Sequence, residues 1–204
     1  MKVSVLIPTF RRPEGFRRAA MSVFVQVGVS DIELVAVDNS PEGSALKVFN
    51  EIAAVAPIPF RWMHEPHAGV AYARNAALTL ASGDLVAWLD DDEEAPAHWL
   101  ASLMAVREAT GAQSVFGPVR AKANGPHHAF FEKLYSRLGP AQSGVTDRAY
   151  GIGNSLQPRA VFSLDEFDVD ANETGGEDDA LFAAWRDAGA TFAWAADAAV
   201  TEHV

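Results

Sequence analysis

Five consecutive carboxylates, Asp90-Asp91-Asp92-Glu93-Glu94, follow the apolar run Leu85–Leu89. Acids this close repel one another unless solvent or a cation relieves them. Hard divalent ions take oxygen ligands, and Mg2+ characteristically bridges one or two carboxylates to substrate phosphates. On extended backbone Asp90 and Asp92 face the same side, so both carboxylates can address one ion. The competing explanation is helix capping: a helix starting near Pro96 would attract the same acids to its positive end. Residue types alone do not separate the two.

Three further segments carry chemistry-bearing residues. Pro8-Thr9-Phe10-Arg11-Arg12 and Asp38-Asn39-Ser40 each directly follow an apolar run. A strand-end Asp38 either accepts hydrogen bonds from a nucleobase or ribose, or closes an Asx turn. Arg74 falls in the first turns of a helix entered through Pro66-His67-Ala68-Gly69, where its charge opposes the dipole. A compensating anion is expected beside it, a carboxylate or a diphosphate, unless the side chain simply reaches solvent. Finally, Gly175-Gly176 permit a sharp turn ahead of Glu177-Asp178-Asp179. Those acids either cap a helix or supply a general base to an attacking hydroxyl.

These residues need a frame that brings them together. Val3–Ile7, Ile32–Val37, Phe60–His64, Leu85–Leu89 and Ser114–Val119 read as strands. Between them, Glu14–Val27, Ser44–Ala54, Val70–Ala81 and Ala97–Thr110 have helical spacing; Ala73, Ala76, Ala77 and Leu80 recur at three and four residues. Strands alternating with helices predict βαβ units and a mostly parallel sheet covered on both faces. In such sheets ligands bind beyond the carboxyl ends of the strands, where the polar segments fall. The later part is less regular: an amphipathic stretch Ala129–Leu138, a loop Gly139–Asp147, a helix Asp178–Ala188 and a strand Thr191–Trp194. The expectation is one domain, residues 1–204, with a nucleotide-binding half at 1–120 and an acceptor half at 121–204. Past Thr191–Trp194 no closing element is expected, which suggests truncation at Val204.

The totals narrow the field. A chain of 204 residues can bury a full core, and 49% hydrophobic against 21% charged residues describes a folded protein. A net charge of -11 argues against nucleic acid as a partner. It leaves room for a nucleotide whose phosphates a metal neutralises. With no cysteine there is neither disulfide nor thiolate site. No run is long enough for a signal peptide or a membrane span, which predicts a cytosolic protein. Peripheral contact with the inner face of a membrane is the alternative, and oligomeric state is not readable.

The ordered set VSVLIPTFRR, ELVAVDNS, AGVAYARNAAL, GDLVAWLDDDEEAP and GGEDDALF resembles the family 2 glycosyltransferases, inverting enzymes of the GT-A type. The likeness runs from residue 3 to about residue 200. It implies an α/β fold, a single GT-A domain with a Rossmann-like sheet. It further implies that Pro8, Thr9, Phe10 and Arg11 line a nucleotide pocket with Gly69 and Arg74, and that Asp38 contacts the base. Asp90-Asp91-Asp92 is similar to the family's Asp-X-Asp motif, with Asp90 and Asp91 on the nucleotide-sugar and Asp92 on Mn2+ or Mg2+. Glu177-Asp178 resembles the acidic pair that holds the catalytic base, Asp178 being preferred. His203 falls where relatives place a metal-binding histidine, with Glu202 as its substitute. One departure is Asp38-Asn39-Ser40-Pro41, where relatives commonly read Asp-Asp-Gly-Ser.

The activity so implied is metal-dependent transfer of a sugar from a nucleotide-sugar, UDP-sugar favoured, to an acceptor hydroxyl with inversion. Cell-surface polysaccharide synthesis is the expected setting. The acceptor, a saccharide or lipid-linked saccharide, is expected against Tyr150 and Gly151 to Asn154, Gly153 and Asn154 above all. Phe130, Phe131 and Tyr135 extend that wall, though core packing is the preferred explanation for the two phenylalanines. The alternatives are a sugar-nucleotide pyrophosphorylase and a non-catalytic nucleotide- or carbohydrate-binding homologue. The first typically wants a Gly-rich loop after the first strand, and here no glycine occurs before Gly15.

Overall fold

The computed structural model describes residues 1–163, 166–173 and 175–204. In chain order the elements are β1 (Val3–Thr9), α1 (Pro13–Phe24), β2 (Ile32–Asp38), α2 (Leu46–Ala53), β3 (Phe60–His64), α3 (Val70–Leu80) and β4 (Leu85–Trp88). Then come β5 (Glu93–Glu94), α4 (Trp99–Thr110), β6 (Ser114–Phe116), β7 (Val119–Lys122), α5 (His128–Tyr135) and β8 (Gly144–Thr146). The chain continues through β9 (Ser155–Pro158), α6 (Glu177–Asp187), β10 (Phe192–Trp194) and β11 (Val200–His203).

Eight strands form one sheet in the order β3-β2-β1-β4-β9-β6-β10-β8. The first four are mutually parallel, as the alternation of strands and helices requires. β9 runs antiparallel between β4 and β6, and β8 is antiparallel to β10. Val3, Val5 and Ile7 of β1 face a core built with Phe16 of α1, Phe49 of α2 and Trp99 of α4. Leu6 faces the opposite core with Ala73 of α3, Trp88 and Phe182 of α6. This two-sided burial is why β1 and β2 read as continuous apolar runs.

Three expectations are corrected. Ser114–Val119 is not one strand but two, β6 in the large sheet and β7 in a second sheet, β5-β11-β7. The break falls at Gly117, where any Cβ would collide with the Ala198 carbonyl and the Asn154 amide. The loop 139–147 contains β8, whose Val145 pairs with Ala193 of β10. The chain also has a closing element: β11 pairs parallel with β7 and antiparallel with β5.

One buried acid braces the frame below the site. Glu33, the second residue of β2, accepts hydrogen bonds from Ser4 Oγ at 2.5 Å, Lys2 Nζ at 2.7 Å and Ser82 N at 2.7 Å. Burial pushes its pKa upward, but the bonds from Lys2, Ser4 and Ser82 outweigh that and hold it at about 2. A depressed carboxylate stabilises the fold above its unfolded pKa and loses that contribution as pH falls toward 2. Glu33→Gln should therefore cost about 2 kcal/mol at neutral pH, the scale of a charge-assisted bond. Urea unfolding checks this: the gap between wild type and variant should close between pH 4.5 and 2.

Candidate active site

The carboxyl ends of β1 and β4, the start of α3 and one face of β11 surround a cleft of about 660 Å³. Pro8, Thr9, Phe10, Gly69, Arg74, Asp90, Asp91 and Asp92 line it, joined by Arg12, Asn39, Asn172 and Glu202. The acidic run does not cap α4. That helix begins at Trp99 with His98 as its N-cap and no side-chain cap, while Glu93-Glu94 form β5.

Each acid of the run has its own surroundings. Asp91 is buried and accepts from Thr9 Oγ1 at 2.7 Å, Phe10 N at 3.3 Å and Arg12 Nη1 at 3.2 Å. Burial raises its pKa to about 6 against the opposing pull of Thr9 and Arg12. Asp92 pairs with Arg12 Nη1 at 2.5 Å. Asp90 is raised by burial and by Asp92, with Arg74 opposing. Glu93 is raised well above the usual range by burial and by Asp90. It accepts from Arg137 Nη2 at 3.2 Å and from the Asp90 amide at 3.2 Å.

Glu202 stands directly opposite Glu93 in the β11–β5 register. Like charges facing one another across strands destabilise a sheet. Its pKa is raised by burial and by Asp92 and Asp90, Arg137 pulling the other way. Its Oε2 is buried with no hydrogen-bond partner among the described residues. His203, the expected metal ligand, does not line this cleft; its Nε2 lies 3.1 Å from Glu94 Oε2. Along β11 adjacent residues point to opposite faces, so Glu202 lines this cleft, while His203 lines a neighbouring one together with Glu202, Asp92 and Arg12. Among the described residues no three His, Asp or Glu converge into a closed metal cage.

Two other expected nucleotide contacts turn away. Asp38 is fully buried and accepts from Ser40 N, Ser40 Oγ and Ala45 N, so its carboxylate is consumed by an Asx turn. Arg11 is exposed and pairs with Glu42 at 2.8 Å. Its φ of 55° is left-handed, which turns Arg11 outward and Arg12 toward the acids. Asn39 replaces Asp38 at the cleft, accepting from Gly69 N at 2.8 Å and donating to the carbonyls of Glu65 and His67. Asn172 accepts from Ala71 N at 2.9 Å at the start of α3. Arg12 stood within a motif already singled out; Asn172 and Arg137 gave no signal.

A second cleft of about 510 Å³ adjoins the first, and Asp90 and Arg74 line both. Arg74 is buried, ion-paired with Glu177 and 5.5 Å from the Phe167 ring centroid. Its expected compensating anion is thus the first acid of α6. Asp178 lines the second cleft and accepts from Ile152 N at 3.1 Å. Gly153 lies there too, where a Cβ would strike the Asp90 carboxylate. Asn154, expected on the acceptor wall, is buried, and its amide is used by Trp99 Nε1 and by the Pro118 and Ala198 carbonyls. Phe130 and Phe131 are exposed rather than packed in the core.

A protein-family model described as Glycosyl transferase family 2 matches residues 4–163. The whole chain is 31% identical to the succinoglycan biosynthesis protein ExoM of Rhizobium meliloti and covers 67% of that protein. A glucosyl-dolichyl phosphate glucuronosyltransferase of Haloferax volcanii is 28% identical over 87% of this chain, which spans 56% of it. The fold is similar to S. aureus TarS 1-349 in complex with UDP, with a TM-score of 0.75, 16% identity, all of this chain and 61% of that one covered. At that identity the likeness is one of fold.

The raised Asp91 has a measurable consequence. Its folded pKa exceeds its unfolded one, so the fold binds protons more readily and loses stability as pH rises from 3.8 through 6. Asp91→Asn keeps an oxygen for Thr9 and removes the buried charge. In metal-free protein its Tm should exceed wild type by about 4 °C at pH 7.5, a ΔΔG near 1–2 kcal/mol, and match it below pH 4. Scanning calorimetry across that range is the check.

Proposed function

This chain belongs to glycosyl transferase family 2 and is a glycosyltransferase; on that footing we propose that it carries a sugar from a UDP-sugar to an acceptor hydroxyl in a metal-assisted single displacement with inversion. The setting proposed is the assembly of a bacterial surface polysaccharide, as the name of the succinoglycan relative suggests. The observation that carries the reading is the pair of adjoining clefts that share Asp90 and Arg74, one rimmed by carboxylates and the other holding Asp178.

The donor set fits a divalent cation. Asp90, Asp91, Glu93 and Glu202 all have pKa values raised first by burial and further by neighbouring acids, with Arg12, Arg74 and Arg137 pulling the other way. Glu202 offers a buried oxygen without a partner among the described residues. Asp92 and Glu202 would hold Mn2+ or Mg2+, leaving remaining positions to phosphate and water, the usual arrangement for Mg2+. Bound there, the ion would neutralise the diphosphate as it leaves.

The protein's own groups supply the rest. Thr9 and Phe10 floor the nucleotide pocket, with Asn39 holding the Glu65–Gly69 segment against it. Arg12 offers a cation toward the diphosphate from the far side of Asp92. Asp90, at the junction, would meet the donor ribose and sugar. Asp178 accepts the acceptor's proton as its oxygen attacks the anomeric carbon. Glu177, spent on Arg74, is a positioning residue. Gly153, lacking a side chain, leaves room for the Asp90 carboxylate at the edge of the acceptor cleft.

Asp178→Asn should lower kcat by ~10²–10⁴-fold, the range for a lost general base, while UDP binding holds. Wild-type turnover in that variant removes the assignment. Asp92→Ala and Glu202→Gln should each weaken Mn2+-dependent UDP binding at least ~10-fold in calorimetry, and His203→Ala should leave it near wild type. Equal losses at His203 and Glu202 would return the metal to the histidine.

A further inference from the structure

The helix α5 is eight residues long and buries none of them. Phe130 is 64% exposed, Leu134 60% and, just beyond the helix, Leu138 58%. Phe130 and Leu134, four apart on the helix, share one face, and Leu138 follows on extended backbone past the Ser136 cap. Phe131 and Tyr135 lie beside that face with rings stacked at 6.4 Å, both exposed. Single exposed apolar residues are ordinary, but a contiguous group of five is a contact surface awaiting an occupant. The surface is firmly mounted: Ser136 Oγ accepts from the Ala121 amide at 3.0 Å, and Arg137 and Val119 exchange two backbone hydrogen bonds.

Charge identifies the occupant. Residues 118–148 hold five Lys and Arg against two acids, in a chain whose net charge is -11. Arg120, Lys122, Lys133 and Arg148 are exposed, as are His127 and His128. The acids within residues 118–148 are Glu132, half-buried beside the Ala123 amide, and the exposed Asp147. Glu94 of β5, paired with His203, lies across β11 from β7, and Asp92 and Glu202 share a cleft with Phe131 and Tyr135. In an otherwise acidic chain the 118–148 segment thus has a local excess of cations around a helix whose apolar residues are exposed. We propose that α5 and this basic fringe form a docking surface for a bilayer bearing anionic headgroups. Apolar residues enter the headgroup boundary while each nearby Lys or Arg adds about 1 kcal/mol of attraction to the anionic surface. A second copy of the chain is a poorer match, because a twofold contact through this face would bring two basic fringes into one interface.

The position has a functional side. Leu138 and Arg148 also line the cleft that holds Asp178, so docking would bring that cleft to the headgroup plane. This orientation rests on the transferase reading; the docking itself does not.

Vesicle co-sedimentation of the full chain tests it without reference to turnover. Binding to mixed phosphatidylcholine and phosphatidylglycerol vesicles should exceed binding to phosphatidylcholine alone by about tenfold at low salt and fade at high salt. Phe130→Ser with Leu134→Ser, and separately Lys122→Glu with Lys133→Glu, should each reduce it about tenfold. All four positions are exposed, so unchanged circular dichroism is expected of both variants. Absence of wild-type binding to the anionic vesicles, or wild-type binding by both variants, overturns the proposal. So does light scattering that finds a dimer dissociated by the serine variant, which would give the face to a second copy.

Discussion

An excess of negative charge that the protein does not neutralise by itself governs this structure. Asp90, Asp91, Asp92, Glu93 and Glu202 gather where β4 ends and β11 passes, and the nearby cations are Arg12, Arg74 and Arg137. Arg74 is already committed to Glu177. The raised carboxylates show that the fold tolerates this concentration at a cost to its own stability. Such a cost persists where a ligand relieves it, and strongly shifted groups gathered in a cleft are a recognised mark of function.

The other parts read as consequences. β11 must return to β5 to place Glu202 in the cluster, so the last strand is part of the site. The left-handed residue Arg11 lets two neighbouring arginines diverge, one to Glu42 at the surface and one to the acids. The Arg74–Glu177 pair ties α3 to α6, and thereby fixes Asp178 relative to Asp90 across the boundary of the two clefts. A pair so buried is weak support for stability, but breaking it would leave an uncompensated charge.

Much of the frame was legible in the residues because its causes are local. Alternating strands and helices up to α4 needed only hydrophobic period, and the acids after β4 needed only their adjacency. The failures were matters of three-dimensional register. The residues offered Asp38 either an Asx turn or a base contact, and only the fold showed it closing on Ser40 and Ala45 while Asn39 turned to the cleft. The choice between Glu202 and His203 depended on which face of a four-residue strand looked inward. Asn154 looked like a loop asparagine beside a sugar site; its three partners come from α4 and from segments 36 and 44 residues ahead and behind. Long-range pairing of this kind leaves no periodic trace.

Asn154 also ties the two sheets together. Its amide joins the Trp99 indole to the carbonyls of Pro118 and Ala198, at the spot where Gly117 lets the strands cross without a side chain between them. Three bonds on one buried group make the junction a welded corner rather than a hinge. The acids that follow β4 and the one on β11, which belong to different sheets, thereby rest on a single anvil.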